Sequence, residues 1–170
     1  MKEINYSEYA KETLDILAKG AFLTTQVDGK LNTMTIAWGS IGNMWGKPTF
    51  TVMVRQSRFT LEIINKTDEF TVTIPQEDLR KALALCGTKS GREIDKFAAA
   101  GLKTCPAQKI GTPVLDCAGI HYECKIVYRQ NMDPEGLIPD LDNKWYDEAH
   151  GHQDYHTLYY GEIISSYVTE

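Results

Sequence analysis

Residues 21–38 read Ala21-Phe22-Leu23-Thr24-Thr25-Gln26-Val27-Asp28-Gly29-Lys30-Leu31-Asn32-Thr33-Met34-Thr35-Ile36-Ala37-Trp38. The first seven residues are rich in β-branched and aromatic side chains, which favours a strand. Asp28-Gly29 is typical of a two-residue hairpin turn, because the two central positions of a type I′ turn take positive φ. The return strand then runs from about Leu31 to Trp38. This stretch therefore predicts an antiparallel β-hairpin.

Other segments also have the composition and the alternating pattern of β-strands. They lie at residues 49–54, 70–74, 120–129 and 158–168. The segment 39–48 is predicted to be a loop, because three glycines and a proline interrupt it. The sequence thus predicts six strands in all.

Helical spacing is limited to short runs. Ser7 is predicted to cap a first helix that runs to about Lys19, where Gly20 stops it. Further helices are predicted at 59–66, 76–85 and 93–100. The polar segment 131–154, rich in proline and acidic residues, is predicted to be a surface excursion.

Many strands, hairpin signals and short helices predict a mainly β fold, an antiparallel barrel or sandwich with helical caps. The 170 residues fit a single domain over 1–170, and a chain of this length buries about 70% of its unfolded surface. Neither GxGxxG nor GxxxxGK[ST] occurs, so a nucleotide-like ligand would bind without a Rossmann or P-loop cradle.

The chain carries 18 Lys and Arg against 23 Asp and Glu, a formal net charge of −5. That balance argues against nucleic acid and anionic membrane as principal partners, although it is compatible with a local basic pocket. No apolar run approaches the roughly 20 residues that span a bilayer, and the N-terminal residues lack the apolar core of a signal peptide. We therefore expect a cytoplasmic protein whose four cysteines, with no CxxC pair, are free thiols.

Arg55 and Arg58 lie where an apolar alternating run stops and a helical run begins. One interpretation is a pair of solvated arginines at a strand end. Three features argue against solvated arginines. Ser57 is a candidate N-cap, Thr60 lies in the first helical turn, and the helix dipole favours an anion there. The planar fork of arginine also suits phosphate oxygens better than the point charge of lysine. The junction therefore favours a phosphate site.

Two more fragments have both a plain and a functional interpretation. Polar residues from Asn32 to Thr35 break the period-two alternation before Trp38. They form either an ordinary half-exposed strand or an irregular strand whose backbone faces a ligand, with Trp38 in the core or beside that ligand. Ser90 and Lys96 belong either to a plain loop and helix or to a site where a hydroxyl and a cation reach the same anion.

Together these fragments resemble the flavin reductase-like proteins with an FMN-binding split barrel, and they are most similar to the flavoredoxin branch. The matching pieces cover nearly the whole chain: Asn32-Thr33-Met34-Thr35-Ile36-Ala37-Trp38, Gly46-Lys47-Pro48, Val54-Arg55-Gln56-Ser57-Arg58-Phe59-Thr60, Glu69-Phe70-Thr71-Val72, Cys86-Gly87-Thr88-Lys89-Ser90-Gly91, Asp95-Lys96-Phe97, Glu123-Cys124-Lys125 and Tyr160-Gly161-Glu162-Ile163. The combination is specific, although no single piece is.

The resemblance implies a six-stranded antiparallel Greek-key barrel, a homodimer, and one FMN per subunit near the dimer interface. It implies that Asn32, Met34 and Thr35 meet the flavin, with Trp38 beside the pocket. Two further groups of residues would hold the phosphate and ribityl end: Val54, Arg55, Ser57, Arg58 and Thr60 in one segment, and Cys86, Gly87, Ser90 and Lys96 in another.

The resemblance also implies an oxidoreductase in which the flavin carries the chemistry, with electrons from NAD(P)H or a protein redox partner. We predict no catalytic acid, base or nucleophile, in keeping with a sequence that has no triad-like constellation. A non-catalytic FMN electron carrier is the first alternative, and a split barrel for another planar ligand, such as pyridoxal phosphate or haem, is the second. The sequence does not separate NADH from NADPH.

Three further features keep two interpretations each. The histidines at 150, 152 and 156 have a spacing that can bind zinc or nickel, but an exposed loop with no metal is favoured. Residues 131–154 form either a lid over the exposed face of the flavin or a plain surface loop. Cys86 is either a redox thiol near the flavin or a side chain that fills space.

Overall fold

The fold is built on one large antiparallel sheet, seen in a computed structural model that describes residues 1–170. Ten strands and five α-helices make up the chain. The strands are β1 (Lys2–Glu3), β2 (Ala21–Val27), β3 (Lys30–Ile36), β4 (Gly39–Met44), β5 (Lys47–Arg55), β6 (Glu69–Pro75), β7 (Thr104–Cys105), β8 (Val114–Leu115), β9 (Gly119–Asn131) and β10 (His156–Thr169). The helices are α1 (Ala10–Leu17), α2 (Phe59–Ile64), α3 (Arg80–Thr88), α4 (Lys96–Ala100) and α5 (Pro139–Trp145), with 3₁₀ turns at Pro134–Gly136 and Glu148–His150.

The order of the strands forces the sheet to close on itself. The hydrogen-bonded path runs β3-β2-β6-β9-β10-β5-β4, with β1 added to β10. Its two end strands, β3 and β4, are consecutive in the chain and are joined only by Ala37 and Trp38. Because each residue spans at most about 3.6 Å, the two edges of the sheet lie close together. The sheet is therefore a barrel that stays open between β3 and β4, and the predicted mainly β split barrel is confirmed.

All six predicted strands are present, and the predicted hairpin is confirmed. β2 and β3 pair from Ala21↔Ile36 to Val27↔Lys30 without a shift in register. Asp28 and Gly29 both take positive φ, 48° and 75°, as the turn requires. The predicted loop at 39–48 is wrong, because 39–44 forms β4 and pairs with β5. Trp45 (φ 54°) and Gly46 (φ 71°) make a second two-residue turn, in which the first residue is not a glycine.

The helices are shorter than predicted. The first helix begins at Ala10 rather than after Ser7, because the side chain of Asn5 accepts hydrogen bonds from both the amide and the hydroxyl of Ser7. The helix after the arginines begins at Phe59, with Arg58 rather than Ser57 at the N-cap position. The third and fourth helices also begin later than predicted, at Arg80 and at Lys96.

The core lies inside the barrel and is closed by α1. Phe50, Phe70, Tyr122 and Tyr159 are all fully buried there, and the Tyr122 hydroxyl bonds the Thr13 hydroxyl of α1 at 2.7 Å. A second, smaller cluster lies outside the barrel, between β2 and α3. Both faces of β2 are therefore covered. The helix α3 also packs on β3, one edge of the open seam.

The segment between β9 and β10 is an excursion with structure of its own. It contains both 3₁₀ turns and α5, and it returns to the barrel at His156. No helix of the chain is long and apolar enough to cross a membrane.

Candidate functional site

Two adjoining cavities lie at the open seam of the barrel. The first, of about 190 Å³, is here called the aromatic cavity; its lining includes Ile36, Trp38, Met53, Trp145 and His156. The second, of about 110 Å³, is called the cationic cavity; its lining includes Ser57, Thr60, Ser90, Gly91 and Lys96. Both cavities share Met34 and Arg58, so one elongated molecule could occupy the two.

The link that closes the barrel places Trp38 in the aromatic cavity. The Trp38 ring meets the Trp145 ring edge-on, with 5.0 Å between centroids, and lies 5.3 Å from the His156 ring. Trp38 is thus beside the candidate site, as the resemblance implies, and not in the barrel core. The aromatic rings leave a slot suited to a flat ligand.

His156 is held from behind by Tyr146. Its Nδ1 lies 2.7 Å from the Tyr146 hydroxyl, and its side chain is buried. Burial first, and then the charge of Arg55, lower the pKa of His156 to about 4. The imidazole is therefore neutral at pH 7.

The polar residues 32–35 of β3 have a structural role that differs from both interpretations of the sequence. β3 pairs with β2 in unbroken register, so it is a regular strand. Asn32, Thr33 and Met34 are all buried, and β3 is in contact with α2, α3 and α4 as well as with β2. Asn32 donates to the Thr60 hydroxyl at 2.8 Å, and Thr35 donates to the Leu83 carbonyl at 2.6 Å. These polar side chains hold α2 and α3 in place beside the cavities.

Lys96 brings a buried positive charge into the cationic cavity. Its ammonium donates to the carbonyls of Thr33, at 3.0 Å, and Cys86, at 2.9 Å. No carboxylate lies within 4 Å of it, since the ion pairs of the chain all involve other residues. Burial lowers the pKa of Lys96. A lysine ammonium has three N–H donors, so one remains for a ligand.

Arg58 stands between the two cavities with most of its donors free. One guanidinium nitrogen donates to the Gly87 carbonyl at 2.9 Å. Arg58 also has no carboxylate partner among the ion pairs of the chain. A buried cation without a counter-ion is costly, so Lys96 and Arg58 together favour an anion in the cationic cavity.

Gly91 allows this cavity to pack tightly around Asn32 and Phe59. A Cβ atom on Gly91 would lie 2.3 Å from Asn32 Oδ1 and 2.8 Å from Phe59 Cδ1. Any larger residue would push apart the side chains that support Thr60 and the wall of the cavity.

Arg55 makes contacts that the sequence does not predict. Its guanidinium donates to the carbonyls of Trp145 (2.9 Å), His150 (3.1 Å) and Asp154 (3.1 Å), and it lies over the Tyr146 ring at 5.0 Å. All these groups belong to the returning excursion, whose residues 139–154 are here called the cover segment. Because Trp145 and His150 also line the aromatic cavity, the geometry favours a covering role over a plain surface loop.

Ser57 is also engaged by the cover segment. Its amide donates to Asp154 Oδ1 at 2.9 Å, and its hydroxyl donates to Asp154 Oδ2 at 2.6 Å. A carboxylate of the chain thus occupies both donors of a residue that the resemblance implies for the phosphate.

The remaining predicted residues lie outside the two cavities. Val54 is fully buried in the core, and it lines neither cavity. Cys86 and Gly87 also line neither; their carbonyls hold Lys96 and Arg58. Burial raises the pKa of the Cys86 thiol, which disfavours the reactive thiolate. Of the predicted set, the cavities bring together Met34, Thr35, Trp38, Arg55, Ser57, Arg58, Thr60, Ser90 and Lys96.

Several lining residues are absent from the sequence prediction. Trp145, His150 and His156 come from the excursion and its return, and Met53 comes from the end of β5. The aromatic residues inside an otherwise polar segment were the available signal. The histidines do not converge: His150 bonds Asp147, His156 bonds Tyr146, and no group of three His, Cys, Asp or Glu side chains that could hold a metal is found.

The fold and the two cavities define a class: split β-barrels with a seam site for a flat ligand that carries an anionic group. A family model described as the flavin reductase like domain matches residues 17–170. The chain therefore belongs to the flavin reductase like family.

Comparisons with individual proteins agree with this assignment. A curated relative, an uncharacterized protein of Archaeoglobus fulgidus, is 28% identical over 98 residues, which are 58% of this chain and 55% of that protein. The match thus spans about half the length of that relative. A flavoredoxin of Methanosarcina acetivorans superposes with a TM-score of 0.66 at 25% identity, over 89% of this chain and 68% of that one. An FMN-binding protein of Thermus thermophilus shares the fold, with a TM-score of 0.67 at 21% identity, over 88% of this chain and 69% of that one.

Replacing Arg55 by alanine tests whether this side chain anchors the cover segment. The change removes three hydrogen bonds to main-chain carbonyls, so we expect faster amide hydrogen exchange throughout 139–154 and a loss of about 1.5–3 kcal/mol in the free energy of unfolding. Arg80→Ala is the matched control, because the Arg80 side chain is 87% exposed and pairs only with Asp78. Exchange in 139–154 that matches the wild type would show that Arg55 does not hold the segment.

Proposed function

We propose that the chain is an FMN-binding oxidoreductase of the flavin reductase or flavoredoxin type. The observation that carries the proposal is the buried ammonium of Lys96, which has no carboxylate partner and lies beside Arg58 in a cavity continuous with an aromatic slot. FMN combines a planar ring system with a phosphate, which are the two features that these cavities suit. Membership of the flavin reductase like family supports the same ligand.

The residues present fit FMN in charge and in chemical type. Ser57, Arg58, Ser90 and Lys96 would hold the phosphate. Met34, Thr35 and Trp38 would contact the ring system. Each cavity alone is smaller than the roughly 300–1,000 Å³ of typical small-molecule sites, and the two together reach the lower end of that range. A ligand of this class would therefore have to span both.

The bound flavin would supply the redox chemistry by accepting and releasing electrons. The protein's part is to hold the ring against β3, to neutralise the phosphate charge, and to limit water at the ring through the cover segment. His156 is neutral at pH 7 and faces the aromatic cavity, so it offers a polar contact without an added charge. We propose NAD(P)H as the electron donor.

Replacing Lys96 by methionine tests the phosphate site. The substitution keeps the length of the side chain but removes the charge, so we expect FMN affinity to fall by about 10- to 150-fold, the equivalent of losing one charged hydrogen bond of about 1.5–3 kcal/mol. Titration followed by flavin fluorescence quenching gives the dissociation constant. Lys81→Met, at an exposed position of α3, is the control.

The wild-type protein gives the broader test of cofactor choice. A colourless protein that leaves the absorbance of added FMN unchanged would contradict the proposed function. A bound pigment with the spectrum of haem or pyridoxal phosphate would replace FMN by that ligand.

Anaerobic titration with NADH and with NADPH tests the proposed electron donor. We expect bleaching of the visible absorbance of the oxidised flavin by at least one of the two nucleotides, followed by turnover when free flavin is added as acceptor. Bleaching only in the presence of a separate reductase would instead identify a non-catalytic carrier that serves protein partners.

We further propose that the chain forms a homodimer through an aromatic patch on β4–β5, β9 and β10. Trp45 is 64% exposed and Tyr128 44% exposed. The rings of Trp45, Tyr128 and Tyr160 lie within 5.5 to 6.1 Å of one another. Exposed aromatic clusters of this kind are typical of protein interfaces.

Sedimentation velocity tests the dimer. We expect a dimer for the wild type and a monomer for the double variant Trp45→Ser/Tyr128→Ser, because the change removes most of the exposed aromatic surface. Leu14→Ser, at a 42% exposed position on α1, is the control and stays a dimer. A monomeric wild type would refute the proposal, and an unaffected double variant would move the interface elsewhere.

A further inference from the structure

We propose that Asp154 is a displaceable internal anion that the phosphate of the flavin replaces at Ser57, and that this exchange releases the end of the cover segment. The inference rests on the proposed function. It assigns to Asp154 and Ser57 a role in deciding when the aromatic cavity is open.

Ser57 has too few hydrogen-bond donors to bind the Asp154 carboxylate and a phosphate at the same time. The residue has one amide N–H and one hydroxyl donor near the cavity, and Asp154 accepts from both, at 2.9 and 2.6 Å. Ser57 lines the cationic cavity together with Arg58 and Lys96. A phosphate held there can take these donors only if the carboxylate leaves, and two anions at such close range repel each other.

The turn next to Asp154 is strained while the carboxylate is bound. Gly151, His152 and Gln153 have φ values of 94°, 28° and 59°, and the latter two are not glycine. Non-glycine residues rarely adopt this region, and they keep it only where the surroundings impose it. Departure of Asp154 would therefore let the turn return to ordinary backbone angles.

The movement is limited to residues 147–154. Tyr146, which precedes them, is buried, bonded to His156 and packed against Arg55. The Trp145 carbonyl stays on Arg55, whereas the bonds from Arg55 to the His150 and Asp154 carbonyls break when the segment leaves. His150 lines the aromatic cavity. Release of 147–154 therefore removes one wall of that cavity and opens a path to the flavin for the second substrate, the proposed NAD(P)H.

Comparison of FMN with riboflavin, which lacks the phosphate, tests the proposal in the wild-type protein. We measure amide hydrogen exchange over 147–154 in the free protein and with each ligand at saturation. The amides of His150, His152 and Gln153 are bonded within the segment, so we expect them to exchange at least fivefold faster with FMN but not with riboflavin. Unchanged or slower exchange with FMN would overturn the proposal.

Asp154→Asn gives an independent measurement. Asparagine can still accept from Ser57 but carries no charge, so we expect FMN to bind about 5- to 10-fold more tightly, within the usual range of couplings between sites, and riboflavin to bind as before. Asp147→Asn is the matched control, because Asp147 lies in the same turn and bonds only within it. FMN affinity that is unchanged or weaker in Asp154→Asn overturns the proposal. Failure of the wild type to bind FMN at all would instead overturn the proposed function and, with it, this inference.

Discussion

The two-residue link of Ala37 and Trp38 sets the shape of the barrel and the position of its site. It joins β3 and β4, the opposite edges of the sheet path, and so closes the sheet without pairing its edges. The gap that remains is the seam, and both cavities lie there. The helices α2, α3 and α4 contact β3 beside it. The same link places Trp38 at the mouth of the aromatic cavity. The same two residues therefore close the fold and form part of the site.

Positively charged side chains at the seam define the site. The chain has a net charge of −5, yet Arg55, Arg58 and Lys96 meet at the seam and none of them forms an ion pair with a carboxylate. Main-chain carbonyls partly solvate each cation. Carbonyl groups offset only part of the cost of burying a charge, so an anionic ligand adds stability to the folded state. This is why a phosphorylated ligand fits the structure better than a neutral one.

The sequence predicts the strands well, because strands depend on local pattern. The Asp28-Gly29 turn and the alternation of β9 and β10 are visible within a few residues. The prediction of a loop at 39–48 was wrong, because it relied on the glycine content of the segment. The pairing of β4 with β5 is a tertiary effect that local composition does not show. The role of Arg55 was out of reach, because its partners lie about a hundred residues away along the chain, in a segment with no pattern of its own. The contact of Asn32 with the flavin stays a prediction, and the bond from its side chain to Thr60 was not visible in the sequence.

In the proposed complex one ligand spans the seam, with its phosphate at Lys96 and its ring beside Trp38. A crystal structure of the chain grown with FMN is the decisive experiment. We expect phosphate oxygens within hydrogen-bond distance of Lys96 Nζ and the Arg58 guanidinium, and a flavin ring against Met34 and Trp38. An FMN bound elsewhere, or a phosphate turned out to solvent with Lys96 still bonded only to carbonyls, would contradict it.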